Sequence, residues 1–184
     1  MKQSITLITG NQHKADQLGK YLGVPIDHEK IDLDEIQSMD LNEIVAHKLK
    51  EAFNHIKSPV IVDDVALSFD ALNGLPGPFT KFFENQLGLD GMCKLMSHYD
   101  DKSTQTTVSI GYYDGEHMEI FAGTVVGTIS DSPQGSGGFG FDPILIPNGY
   151  SQTRAEMNQT DYDATSPRKF ALEKLEIFLK SKSS

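Results

Sequence analysis

Two hydrophobic periods alternate along the early part of this chain, and their order predicts strands and helices in turn. Ile5–Thr9 is a short apolar run that stops at Thr9-Gly10-Asn11, and helical spacing follows over Gln12–Leu22. Pro25–Ile31 reads as an extended segment. Asp40, with Glu43 three residues on, has the form of a capping box. Behind it Leu41, Ile44, Val45, Leu49, Ala52, Phe53 and Ile56 recur at helical spacing, which predicts a helix with one buried face. Pro59-Val-Ile-Val62 is short, β-branched and apolar; it reads as a buried strand that ends on the paired carboxylates Asp63 and Asp64.

The later chain is patterned differently. Leu72-Asn-Gly-Leu-Pro-Gly-Pro78 is too dense in glycine and proline for anything but loop, and helices are expected near Lys81–Gln86 and Asp90–His98. Thr104–Tyr113 and His117–Ile129 are rich in Thr, Val, Ile and Tyr, with Asp114-Gly115 between them as a hairpin signal. Gln134–Gly140 is again glycine-rich. Ser166-Pro167 offers an N-cap with proline at the first helical position, and Ala171, Leu172, Leu175, Phe178 and Leu179 mark one apolar face behind it. The pattern as a whole is α/β, with no repeat and no interdomain linker before the polar tail Ser181–Ser184.

A length of 184 residues suits one domain, with room for two lobes and a substantial core. The single cysteine, Cys93, excludes an intramolecular disulfide and fits a reducing compartment. No apolar run approaches the roughly 20 residues that span a bilayer, and the first residues lead straight into a strand-like run without a signal-peptide pattern. The expectation is a soluble, cytoplasmic protein. A formal net charge of −10 argues against nucleic acid or an anionic membrane as partner, because both are polyanions. A small phosphorylated ligand is compatible with it, since a few lysines gathered in one place can hold phosphate while the outer surface stays acidic.

Two places carry candidate chemistry. An apolar strand followed by Thr9-Gly10-Asn11 and a helix start bearing Lys14 gathers backbone N–H groups and one ammonium, which suits a phosphate; an ordinary turn is the alternative. Glu35, in the acidic stretch Asp32-Leu-Asp-Glu35, and Asp63-Asp64 would bind Mg²⁺ if they met beside a phosphate, and are solvated acids if they do not. Lys48 falls seven residues after Leu41, at the edge of the apolar stripe, where a lysine either snorkels to water or meets an anion.

Six segments then combine. Thr9-Gly-Asn-Gln-His-Lys14, Val62-Asp-Asp-Val-Ala-Leu67, Leu72-Asn-Gly-Leu-Pro-Gly-Pro-Phe-Thr-Lys81-Phe-Phe, Gly138-Phe-Gly-Phe-Asp-Pro143, Thr153-Arg-Ala-Glu-Met157 and Ser166-Pro-Arg168 stand in the order and spacing of the inosine triphosphate pyrophosphatase family, which the chain resembles from about Ile5 to Leu179. The resemblance implies a long, twisted, mixed sheet flanked by helices, two lobes around a central nucleotide cleft, and a homodimer. It implies Mg²⁺-dependent hydrolysis of inosine, deoxyinosine and xanthosine triphosphates to the monophosphate and pyrophosphate. Carried over by position, Thr9, Gly10, Asn11 and Lys14 would touch phosphate, with Lys48 and Lys81 as further cations. Glu35 and Asp64 would hold Mg²⁺, Asp64 serving also as proton acceptor, and Phe139, Gly140, Phe141, Asp142 and Arg168 would surround the base.

Within that resemblance Phe139 is the stacking platform, Asp142 an acceptor for a ring N–H, and Arg168 a donor to the 6-oxo group that adenine lacks. The chain departs from the family pattern at Val65, where a threonine or serine is usual, at Tyr162, where a lysine is usual, at Pro167, where a histidine is usual, and at Gln17, where an acidic residue is common. Tyr162 and Pro167 belong to the nucleoside end, so altered base selectivity is expected beside intact phosphate chemistry. A nucleotide-binding protein without turnover, and a phosphatase acting on another phosphorylated metabolite, are the competing readings.

Overall fold

The computed structural model describes residues 4–9, 12–23 and 25–182, with the side chains of residues 12–14 and 17 excepted. Its elements run β1 (Ile5–Ile8), α1 (Gln12–Leu22), β2 (Ile26–Glu29), α2 (Leu41–Ile56), β3 (Val60–Phe69), β4 (Pro76–Gly77), α3 (Thr80–Met96), β5 (Ser103–Tyr113), β6 (Met118–Ile129), β7 (Leu145–Pro147), α4 (Gln159–Ala164) and α5 (Pro167–Lys182). The strands form one seven-stranded mixed sheet in the order β2-β1-β3-β5-β6-β7, with β4 paired to β3. β1 lies parallel to β2, Ile5 opposite Ile26, and parallel to β3, Thr6 opposite Val60. β3 with β4 and β6 with β7 are antiparallel. This is the mixed α/β sheet with flanking helices that the sequence predicts.

Packing divides the chain into two compact units. The first holds the chain through Asp64, Ser109–Ala122 and the chain from Ala171 on; the second holds Val65–Val108 and Gly123–Phe170. In the first unit the apolar stripe of α2 supplies Val45, Leu49 and Ala52, which pack with Val60 and Val62 of β3. Gly111 of β5 leaves room for the α2 side chains, since a Cβ there would lie 2.5 Å from Leu49 Cδ1 and 2.6 Å from Val45 Cγ1. In the second unit Leu67, Phe69, Met92, Met96, Ile129, Ile144 and Leu145 form the core.

Three local differences from the sequence reading have physical causes. The strand at Pro59–Val62 does not stop at Asp63-Asp64; Val65-Ala66-Leu67 restores the apolar run and β3 continues to Phe69. The two aspartates instead lie just past Leu7–Ile61, the last pair that β3 makes with β1. The two helices expected near Lys81–Gln86 and Asp90–His98 do form, as two segments of α3 separated at Gly88, whose φ of 65° and ψ of 174° are non-helical. Asp40 does cap α2 by accepting from the Asn42 amide, but Glu43 accepts from the Ser38 hydroxyl rather than closing a reciprocal box. The Gly-Pro-rich loop contains β4, too short to have a period.

The hairpin between β5 and β6 forms as expected. Asp114 Oδ1 accepts the amides of Glu116 and His117 at 3.0 and 2.8 Å, which closes the turn on its own first side chain. Gly115 has φ of 98°, and a Cβ there would meet the Phe53 ring. Lys182, in the last turn of α5, forms an ion pair with Asp114.

Candidate functional site

In the first unit three residues from separate segments meet. Lys48 projects from α2 with its side chain only 13% exposed; Nζ donates to Asp64 Oδ2 at 2.7 Å and to Glu35 Oε1 at 3.0 Å. Burial taken alone would lower the pKa of this ammonium, but the hydrogen bond and charge of Asp64, and then those of Glu35, outweigh it and leave Lys48 above its ordinary value. Lys48 thus meets an anion instead of snorkelling. The acidic stretch is tied to α2 again by the Asp34 amide, which donates to Glu51 Oε2 at 2.9 Å.

This arrangement suits a hard dication. Glu35 and Asp64 are oxygen donors already converging on one positive charge, and Mg²⁺ takes one or two carboxylates and completes its shell from waters and substrate phosphates. Among the described residues no three His, Cys, Asp or Glu side chains gather as a group that could hold a metal ion by themselves. Thr9 follows β1, its amide donating to Glu29 O at 2.9 Å. Gly10 and Asn11 lie outside the described residues, as does the side chain of Lys14 on α1.

In the second unit the glycine-rich segment and the stretch after β7 build a buried polar hub on Asp142. Asp142 is 5% exposed and Arg154 is 4% exposed. Arg154 Nε donates to Asp142 Oδ1 at 2.8 Å, while the Tyr162 hydroxyl and the Phe139 amide both donate to Oδ2 at 2.7 Å. The Arg154 guanidinium also lies 4.1 Å from the centre of the Tyr162 ring and donates to the carbonyl and hydroxyl of Thr165. Thr153 and Glu156 form a capping box around the short turn that carries Arg154. Burial raises the Tyr162 pKa and Asp142 adds to the rise against the opposing pull of Arg154, so the phenol stays a donor at neutral pH.

The glycines here have defined tasks. A Cβ on Gly135 would lie 2.6 Å from the Ala155 carbonyl carbon, and Gly138, with φ of 73°, leaves space that a Cβ would take from the Asp142 carboxylate. The turn so formed presents Phe139, 83% exposed.

The base residues expected from the sequence therefore divide. Phe139 faces outward and Gly140 follows it at φ of 58°. Phe141, expected among the residues around the base, is 8% exposed and packs into the core of the second unit. Asp142, expected as an acceptor for a ring N–H, already takes three protein donors on its two oxygens. Arg168 is exposed on the first turn of α5, and Lys81 is exposed on the first turn of α3. Arg154 was given no role by the sequence reading, although Thr153-x-x-Glu156 has capping-box spacing and places Arg154 at a helix start.

The motif order that the sequence shows is matched by a family model over residues 5–178, under the description Ham1 family. The chain belongs to the Ham1 family. Among similar proteins, the inosine triphosphate pyrophosphatase of Schizosaccharomyces pombe is 39% identical over 99% of this chain and 98% of its own length. A dITP/XTP pyrophosphatase of Saccharolobus solfataricus is 37% identical over 96% of this chain and 94% of its own. The Staphylococcus aureus Ham1 protein shares the fold, with a TM-score of 0.87 at 24% identity, covering 98% of this chain and all of that one. The similarity to Ham1 proteins extends over nearly the whole chain, so it takes in both clusters described above.

Proposed function

We propose that this Ham1-family chain is a nucleoside triphosphate pyrophosphohydrolase that cleaves inosine, deoxyinosine and xanthosine triphosphates to the monophosphate and pyrophosphate. The observation that carries the reading is the convergence of Glu35, Lys48 and Asp64, drawn from three segments, into one charged cluster. Relatives at 37 to 40% identity bear the names of such enzymes. Glu35 and Asp64 would hold Mg²⁺, which when bound screens the phosphates and stabilises charge on departing pyrophosphate.

The chain's own groups divide the rest. Lys48, Lys14 and Lys81 stabilise the negative charge that grows on the leaving group, with Thr9, Gly10 and Asn11 contacting phosphate. Asp64, or Asp63 beside it, orients and deprotonates the attacking water. Phe139 stacks under the base, Gly140 leaves room for it, and Arg168 donates to its 6-oxo group. Asp142 and Arg154 hold the turn that carries Phe139. A homodimer in a cytoplasmic setting belongs to the same proposal, and light scattering would check the former.

Product analysis over a panel of triphosphates with Mg²⁺ tests the reading. Pyrophosphate release from ITP and XTP supports it, and orthophosphate release in its place would mark a phosphatase instead. Val65, an aliphatic side chain beside Asp64 where the family has a hydroxyl, favours the second reading of a binder without turnover. Binding of ITP with no product would establish that one.

A further inference from the structure

Glu84 lies on the first segment of α3, and its Oε1 is 3.3 Å from the position a Cβ would take on Gly140, the residue after Phe139. Among the described residues Glu84 has no hydrogen-bond or ion-pair partner, and burial raises its carboxyl pKa with no cation beside it to offset the rise. Asp142, the other carboxylate beside this turn, already accepts from Arg154, Tyr162 and the Phe139 amide. Glu84 is therefore the carboxylate at the turn with acceptor capacity to spare.

An uncompensated carboxylate repels phosphate, so its place in a nucleotide site is at the nucleoside end. A ring stacked on Phe139 would present its edge to the neighbouring residue, where Glu84 Oε1 lies 3.3 Å from the position of a Cβ on Gly140. Purines with a 6-oxo group carry a hydrogen on N1, which a carboxylate accepts. Adenine has a lone pair on N1, which a carboxylate opposes.

Building on the pyrophosphohydrolase reading above, we propose that Glu84 is a base-selecting residue that accepts the N1–H of hypoxanthine, xanthine and guanine and disfavours adenine. The selection is by ring protonation and not by the 2-substituent, so GTP is turned over in preference to ATP.

The test is kcat/KM for ITP, dITP, XTP, GTP and ATP with Mg²⁺, measured on the wild type, E84Q and E84A. In E84A the ITP-to-ATP and GTP-to-ATP ratios fall by about tenfold or more, the size expected when a hydrogen bond to a charged acceptor is lost. E84Q, whose amide oxygen still accepts, recovers part of both ratios; a residue that merely supported the turn would move all five substrates together. An E84A enzyme that hydrolyses ITP with the wild-type ITP-to-ATP ratio would overturn the assignment and leave the pyrophosphohydrolase reading standing. A change confined to the ITP-to-dITP ratio would overturn it too, by placing Glu84 against the ribose. Failure of the wild type to hydrolyse any of the five would remove the parent reading and this one with it.

Discussion

Asp142 and Arg154 are a charge pair sealed from water, and removing one partner strands the other. Replacing Arg154 with methionine leaves Asp142 with only the Tyr162 hydroxyl and the Phe139 amide, and should cost about 3–5 kcal/mol of stability, read as a fall in the urea midpoint. The double variant R154M/D142L removes both charges and should recover a large part of that loss; no recovery would show that the hydrogen bonds, not the charge, matter most. Asp64 has the opposite profile. Its Asn variant keeps an oxygen for Lys48 and should keep the fold by circular dichroism, while pyrophosphate release drops by about 10²-fold or more, the scale seen when one electrostatic catalytic group is lost.

At the scale of elements, the turn after β7 and the hairpin after β5 make separate predictions. G138A forces a Cβ into a left-handed backbone position against the Asp142 carboxylate. It should destabilise by at least about 1–2 kcal/mol, seen in urea, and raise KM for ITP more than it lowers kcat, because Phe139 is displaced. In the hairpin, burial pushes the Asp114 carboxyl up, but the Lys182 hydrogen bond and the His117 and Glu116 amides outweigh it and hold the group well below the usual carboxylate range. A lowered folded-state pKa stabilises fully above the unfolded value of about 4 and is lost as pH falls through it toward the folded value. D114N should therefore unfold at lower temperature at pH 7 and show a flatter fall in melting temperature between pH 5 and pH 2, measured by a thermal scan at each pH.

Which elements could be read beforehand follows from how local their causes are. The α2 stripe, the Asp114-Gly115 hairpin and the Ser166-Pro167 helix start each rest on residues adjacent in sequence, and each forms where expected. β4 and β7 span two and three residues, too few for any period to register. The site was legible in the same uneven way. Lys48 at the stripe edge, with Glu35 and Asp64, came from spacing and from the resemblance, whereas the employment of Asp142 depends on Arg154 and Tyr162, twelve and twenty residues on. Only packing brings those three together. The break at Gly88 falls between the two helices expected near Lys81–Gln86 and Asp90–His98.

For the molecule as a whole, the charge is the property that reaches furthest. With a formal net charge of −10 and an isoelectric point near 4.9, self-repulsion opposes non-specific aggregation at neutral pH. Turbidity measured against pH should peak near pH 4.9, where that repulsion vanishes, and added salt at pH 7 should have little effect on solubility by comparison.

Three hydrogen bonds from Arg154, Tyr162 and the Phe139 amide to one buried carboxylate brace the Phe139 turn. A flat aromatic guest would alight on a platform already rigid, and association would surrender little conformational freedom beyond the guest's own. Affinity at that face should then track the breadth and polarisability of the ring system offered, with scant contribution from loop rearrangement.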